Sequence, residues 1–189
     1  MAIHNIHEVD VKGKYILLRD DFNVQIENGK IVDAFRIDAS MPTIKHLISN
    51  GARVVICAHL GRPGGKRDET LSLRPIAEYM NIPFIDNCLK KDFLASMKNG
   101  DVVLMENLRF YNGEEENDDS FAKKLAEGFD MYVNDAFAVS HRSAASFCFL
   151  YSLVDFFVGK VGRRRDSDIR RFAGSLILRR YVYDTVCVD

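Results

Sequence analysis

From the start of the chain to about residue 147, short apolar runs alternate with amphipathic segments, the pattern of repeated βαβ units around a parallel sheet. Lys14–Arg19 (KYILLR) reads as a first strand, and Asn28-Gly29, set between apolar residues in Gln25–Val32, predicts a tight turn. Ile37–Asn50 reads as a helix: Met41, Ile44, Leu47 and Ile48 share one face, and Gly51 follows as a stop. Pro42 is expected in its first turn, where a missing N–H does no harm. Arg53–Ala58 (RVVICA) is the nearly unbroken apolar run of a strand buried on both faces. A helix over Leu73–Met80 behind Ser72, strands at Ile82–Ile85 and Val102–Met105, and a short helix around Asp92–Met97 follow. Asp118 or Asp119 can cap a helix running through Leu125–Ala126, and Met131–Val133 completes the strand set. The expected fold class is α/β, a Rossmann-like parallel sheet flanked by helices on both faces.

Composition changes this picture little. A chain of 189 residues, 47% hydrophobic and 28% charged, can bury an ordinary domain core, and this makes wholesale disorder a poor description. The net charge of −1 argues against a protein that coats nucleic acid or an anionic membrane. The charge is uneven, however: Cys148–Asp189 holds eight Lys/Arg against five Asp, net +3, which leaves residues 1–147 at −4. Cys57, Cys88, Cys148 and Cys187 show neither C-x-x-C pairing nor metal-ligand spacing, so reduced, partly buried thiols and no metal site are expected. Met1–Asp10 lacks the layout of a signal peptide, and the longest apolar stretch, Ala144–Val158, is short for a bilayer and contains Asp155. A cytoplasmic protein is the expectation.

In an open parallel sheet the ligand lies beyond the carboxyl ends of the strands, so the residues after each strand carry the chemistry. Here they are Arg19-Asp20-Asp21-Phe22-Asn23, then His59-Leu60-Gly61-Arg62-Pro63, then Glu106-Asn107-Leu108-Arg109-Phe110, then Asn134-Asp135-Ala136-Phe137 with His141-Arg142. Arg36 opens the first long helix. Arg36, Arg62, Arg109 and Arg142, with His59, would converge on one edge. Guanidinium groups offer paired planar donors suited to phosphate and carboxylate. Asp21 repels anions, but it can accept from a ligand hydroxyl that Asn23 also reaches. A small molecule with anionic ends and a hydroxyl between them meets these demands. No Walker A or G-x-G-x-x-G pattern is present. Glu114-Glu115-Glu116 reads as a solvated loop before a helix.

These four motifs, R-x-D-F-N, H-L-G-R-P, E-N-L-R-F and N-D-A-F followed by H-R, occur in order, and together they resemble the N-terminal domain of phosphoglycerate kinase over Met1 to about Ser146. The resemblance implies a glycolytic phosphotransferase that moves a phosphoryl group between 1,3-bisphosphoglycerate and ADP. In that family the N-terminal domain binds 3-phosphoglycerate on a basic patch, the C-terminal domain binds Mg-ATP or Mg-ADP, and hinge closure joins them. It further implies that Asp21 and Asn23 hold the substrate's hydroxyl and carboxylate end. His59, Arg62, Arg109 and Arg142 would hold its phosphate, and Arg36 would meet the transferring phosphoryl group. A monomer is expected, with small-molecule partners and neither nucleic acid nor membrane.

Two departures stand against that likeness. Gln25 replaces the proline usual after D-F-N-V. Beyond residue 147 the family pattern fades: residues 148–189 read as a divergent basic tail, and the nucleotide-binding domain is expected to be absent. A shifted reading frame accounts for the Arg163–Arg165 run, because AGA arginine codons read one base later become GAA, glutamate. A non-catalytic phosphoglycerate-binding remnant, or an interaction protein working through its basic tail, are the alternatives to an enzyme.

Overall fold

The computed structural model describes residues 4–6, 9–136, 144–148 and 155–158. The strands are β1 (His4–Asn5), β2 (Tyr15–Arg19), β5 (Arg53–Cys57), β6 (Phe84–Ile85), β7 (Val102–Met105), β8 (Met131–Asn134) and β9 (Asp155–Val158), joined in one sheet. Its order is β1-β9-β8-β2-β5-β7-β6, and every pairing is parallel. A separate antiparallel hairpin, β3 (Ile26–Glu27) and β4 (Lys30–Ile31), turns at Asn28 and Gly29, both at positive φ as its tight turn demands. The helices are α1 (Phe35–Ser49), α2 (Arg74–Met80), α3 (Asn112–Glu115), α4 (Asp119–Ala126) and α5 (Ala145–Cys148). Asp92–Ser96 forms a short 3₁₀ turn where the sequence suggests a helix.

Side chains alternate across the sheet, so each strand serves two cores. Ile16, Leu18, Val54 and Ile56 face a cluster with Ile37, Ile44 and Leu47 of α1 and Ile76 of α2. Leu17, Val55, Cys57, Val103 and Met105 face the other, with Phe121 and Leu125 of α4. Both faces being covered, the central strands are apolar on each side, as the runs at β2 and β5 foretell. Asp118 caps α4, accepting from Phe121 N at 2.6 Å. The cap satisfies one of the amides a helix start leaves bare.

Three expectations need correction. Pro42 lies in the interior of α1, since that helix starts at Phe35 and not at Ile37. Pro42 is on the exposed face, so the Asp38 carbonyl it leaves without an amide partner can be served by water. Glu114, expected in solvent, is 1% exposed and belongs to α3. The sheet also continues past residue 147, because β9 lies between β1 and β8. No helix among the described residues is long and apolar enough to cross a membrane.

The chain runs from β2 outward through β5 to β7 on one side, then returns to the other side of β2 for β8. Sheets with such a reversal take ligands outside the carboxyl ends of their strands.

Candidate functional site

Each strand end delivers its motif to this edge. After β2 the chain enters Asp20–Asn23. Asp21 is 8% exposed and its Oδ2 is ion-paired with Arg36 Nη1 from the first turn of α1. The Arg36 side chain keeps 45% of its surface in solvent. Asn23 is exposed and its Oδ1 accepts from Gly61 N at 3.0 Å. Gly61, after β5, sits at φ +61°, which a side chain would resist, and its carbonyl accepts from Arg109 Nη1 at 2.6 Å. One backbone unit thus links the loops after β2, β5 and β7. Arg109, 9% exposed, also approaches Glu115 at 3.5 Å.

Arg62 is exposed and forms no ion pair with another described residue. His59 is 1% exposed, with Nδ1 at 3.0 Å from Arg19 Nη2. A guanidinium only donates, so this Nδ1 accepts and carries no proton in that contact. The structure therefore brings Asp21 to Arg36, and Asn23 to Gly61 and Arg109, on one edge. It sets His59 beneath that edge. Arg142 lies outside the described residues.

The E-N-L-R-F segment is mostly a brace. Glu106, 1% exposed, accepts from Ser72 Oγ at 2.8 Å, Leu73 N at 2.9 Å and Asn107 N at 2.8 Å. Asn107 Nδ2 donates to Leu60 O at 2.7 Å and Leu71 O at 3.0 Å, and its Oδ1 accepts from Arg109 N at 3.1 Å. These bonds fix the loop after β5 and the backbone of Arg109 together. Buried polar groups are costly unless bonded, so the motif's Glu and Asn hold geometry while its Arg faces the edge.

Sequence reasoning overlooked a layer beneath. Arg19, at 1% exposure, donates Nε to Ser146 Oγ at 3.1 Å and Nη1 to the Asp20 carbonyl. Its guanidinium lies 4.6 Å from the Phe147 ring centre and 4.0 Å from Glu114 Oε1. Glu114 in turn accepts from Ser146 N at 2.9 Å and from Ser146 Oγ. The only hint of this role for Arg19 was its place in the first motif, and for Glu114 there was none, because charge runs usually mean solvent.

The acids behind the edge are perturbed. Burial, then the neighbouring Asp135 charge, pushes Asp20 up to about 7. Burial pushes Asp135 up to about 6, opposed by a Thr43 hydrogen bond. Cys57 and Cys88 are free and buried, and burial raises both thiols, Cys57 to about 12.

Known proteins are similar to this chain in sequence and in fold. The phosphoglycerate kinase family model matches residues 6–165. The phosphoglycerate kinase of Borrelia hermsii is 42% identical over 187 residues, covering 88% of this chain and 48% of that protein. That of a Wolbachia from Brugia malayi is 47% identical over 155 residues, covering 77% and 39% respectively. The solved phosphoglycerate kinase of Coxiella burnetii superposes with a TM-score of 0.76 at 36% identity, covering 83% of this chain and 41% of that one. The chain spans about half the length, or less, of the curated relatives it matches. With the fold, the ordered motifs and a match over most of its length in agreement, the chain belongs to the phosphoglycerate kinase family.

Proposed function

We propose that this chain is the substrate-binding half of a phosphoglycerate kinase and takes 3-phosphoglycerate, or 1,3-bisphosphoglycerate, at the carboxyl edge of the sheet, over the loops after β2, β5 and β7. The observation that carries this reading is the joining of Asn23, Gly61 and Arg109 across three loops, beside the Asp21–Arg36 pair. Asp21 and Asn23 would take the hydroxyl and carboxylate end, and Arg62, Arg109, Arg142 and His59 the phosphate. Arg36 would neutralise the phosphoryl group in transit.

The chemistry fits. Phosphoryl transfer asks the protein for positioning and charge neutralisation, with little covalent help. In the structure Arg36 is already held by Asp21, so an anion must compete for that guanidinium. Arg62 offers an exposed guanidinium that no ion pair among the described residues occupies. Among the phosphate-side groups it therefore carries the largest share of first contact. Nucleotide and its magnesium would be held by the half of the relatives' length that this chain does not match, and catalysis in the cytoplasm would require it.

Calorimetric titration of 3-phosphoglycerate tests the site. Arg62→Ala and Arg36→Ala are expected to weaken binding roughly ten-fold or more, since each removes a charge-assisted contact of about 1.5–3 kcal/mol. Binding as tight as the parent's in both variants would refute the assignment. A binding-only remnant is the second reading, favoured by the partial coverage of the relatives. Turnover of ATP and 3-phosphoglycerate by this chain alone, in a coupled assay, would exclude it.

The family match runs to residue 165, past the break expected near 147, and we further propose that the residues beyond it arise from a shifted reading frame. The gene sequence decides: a second frame beyond the Arg163–Arg165 codons must encode family-like sequence, and its absence ends the idea.

A further inference from the structure

Asp20 occupies the variable position of the R-x-D-F-N motif, and it is 1% exposed. β2 and β8 pair with Arg19 opposite Asn134, so Asp20 and Asp135 are the next residues of two adjacent parallel strands. Asp135 N donates to Arg19 O at 2.8 Å and keeps that register one step beyond the sheet. Neighbouring strands lie ~4.8 Å apart, so the two acids are side by side, close enough for the Asp135 charge to act on Asp20.

Part of each acid is satisfied. Asp20 Oδ1 accepts from Ser40 Oγ and from Asp21 N at 2.9 Å, and Asp135 is bonded by Thr43. The remaining oxygens, Asp20 Oδ2 and Asp135 Oδ1, are buried and have no donor. Nearby cations do not supply one. Arg19 directs three of its donors to Ser146, the Asp20 carbonyl and His59, lies beside Glu114, and makes no hydrogen bond to either orphan oxygen. Arg36 is engaged by Asp21. His59 faces Arg19, and the Cys57 thiol is neutral at this depth. Among the described residues these are the charged and titratable groups of β2, β5 and α1 around the pair.

We propose that Asp20 and Asp135 hold one proton between them and, as a carboxyl–carboxylate pair, seat the Ser40–Thr43 face of α1 against the ends of β2 and β8. A single proton supplies the donor both orphan oxygens lack and avoids two adjacent buried charges. Ser40 and Thr43 are one turn apart on α1, so the pair grips that helix twice. Ser40 Oγ also lies 3.1 Å from Arg36 O, so its single hydrogen is shared between Asp20 and that carbonyl, which connects the seat to the turn bearing Arg36. Only this last consequence rests on the function proposed above. Loss of the proton sets two carboxylates against each other beneath α1 and loosens that turn.

The sign of the linkage follows from the raised acids. The folded state holds a proton that the unfolded chain releases near its ordinary value of 3.8. Stability from this source is therefore full at low pH and falls as pH rises from about 4 to about 7. The unfolding constant of the parent should climb by up to tenfold per pH unit there relative to Asp20→Asn.

Carbon-detected NMR titration of the side-chain carboxyls in the full chain is the test. Asp20 and Asp135 should titrate in two linked steps, the upper one well above the range of exposed aspartates, and Asp20→Asn should leave Asp135 a single step below that upper one. Both carboxyls ionised by about pH 5, or an unchanged Asp135 in Asp20→Asn, would overturn the proposal. If Asp20→Asn does not fold, the parent titration and Asp135→Asn decide it in the same way. For Arg36, the parent should lose affinity for 3-phosphoglycerate between about pH 6 and 8 severalfold more than Asp20→Asn, a comparison that cancels the ligand's own ionisation. Equal losses would remove the link to Arg36. No binding at any pH, with the two-step titration intact, would refute the site and support the pair.

Discussion

Replacing Glu114 by Ala should destabilise the chain severely, although the sequence places it in a run of three glutamates. In the structure Glu114 is 1% exposed, 4.0 Å from the equally buried Arg19, and it accepts from Ser146 N and Oγ. At 4 Å and an effective dielectric of 20, two unit charges attract by about 4 kcal/mol. Removing one partner leaves the other buried and uncompensated, which typically costs 3–5 kcal/mol. The bonds to Ser146 overlap with that figure because the network acts as a unit. A loss of about 4 kcal/mol is a large part of the 5–15 kcal/mol of an ordinary domain. Glu114→Gln keeps the shape and an acceptor for Ser146 N, so about half that loss is expected. Urea denaturation followed by circular dichroism measures both. A change within 1 kcal/mol for Glu114→Ala would show that Arg19 and Glu114 are not the buried pair described.

Two further outcomes follow from the same structure. Gly61→Ala puts a β-carbon 2.7 Å from Leu71 Cδ2 at φ +61°, so a loss of roughly 1–2 kcal/mol is expected in denaturation; an unchanged midpoint would contradict it. Cys57 and Cys88 should resist iodoacetamide at pH 8 in the folded chain and react once unfolded, because burial pushes both thiols up, Cys57 to about 12. Peptide mapping by mass spectrometry checks this, and labelling of either at the rate of an exposed thiol would refute it.

The sheet was legible in the sequence wherever burial on two faces left an unbroken apolar run, as at β2, β5 and β7. The β3–β4 turn was legible because Asn28 and Gly29 tolerate positive φ. The strand-end motifs were legible as candidates because topology sends those positions to one edge. What escaped was long-range pairing of charges. Nothing local marks Glu114 as the partner of Arg19, 95 positions away in the numbering, or Asp20 as the neighbour of Asp135. Each becomes visible only when β2, β8 and α3 are side by side. Pro42 misled in the same way, because where α1 begins depends on Phe35 and Arg36, which carry little apolar periodicity. β9 escaped because its run, Asp155–Val158, is four residues long and opens on an aspartate, beyond the break placed near 147, although the family match runs on to 165.

The claim that 3-phosphoglycerate binds at the carboxyl edge is met most directly by amide chemical-shift mapping of the labelled chain. Addition of 3-phosphoglycerate should shift Asp20–Asn23, Gly61, Arg62, Arg109 and the first turn of α1. It should leave the β3–β4 turn and the amino ends of β2 and β5 in place. Absence of shifts at saturating ligand, or shifts centred on those amino ends, would contradict it.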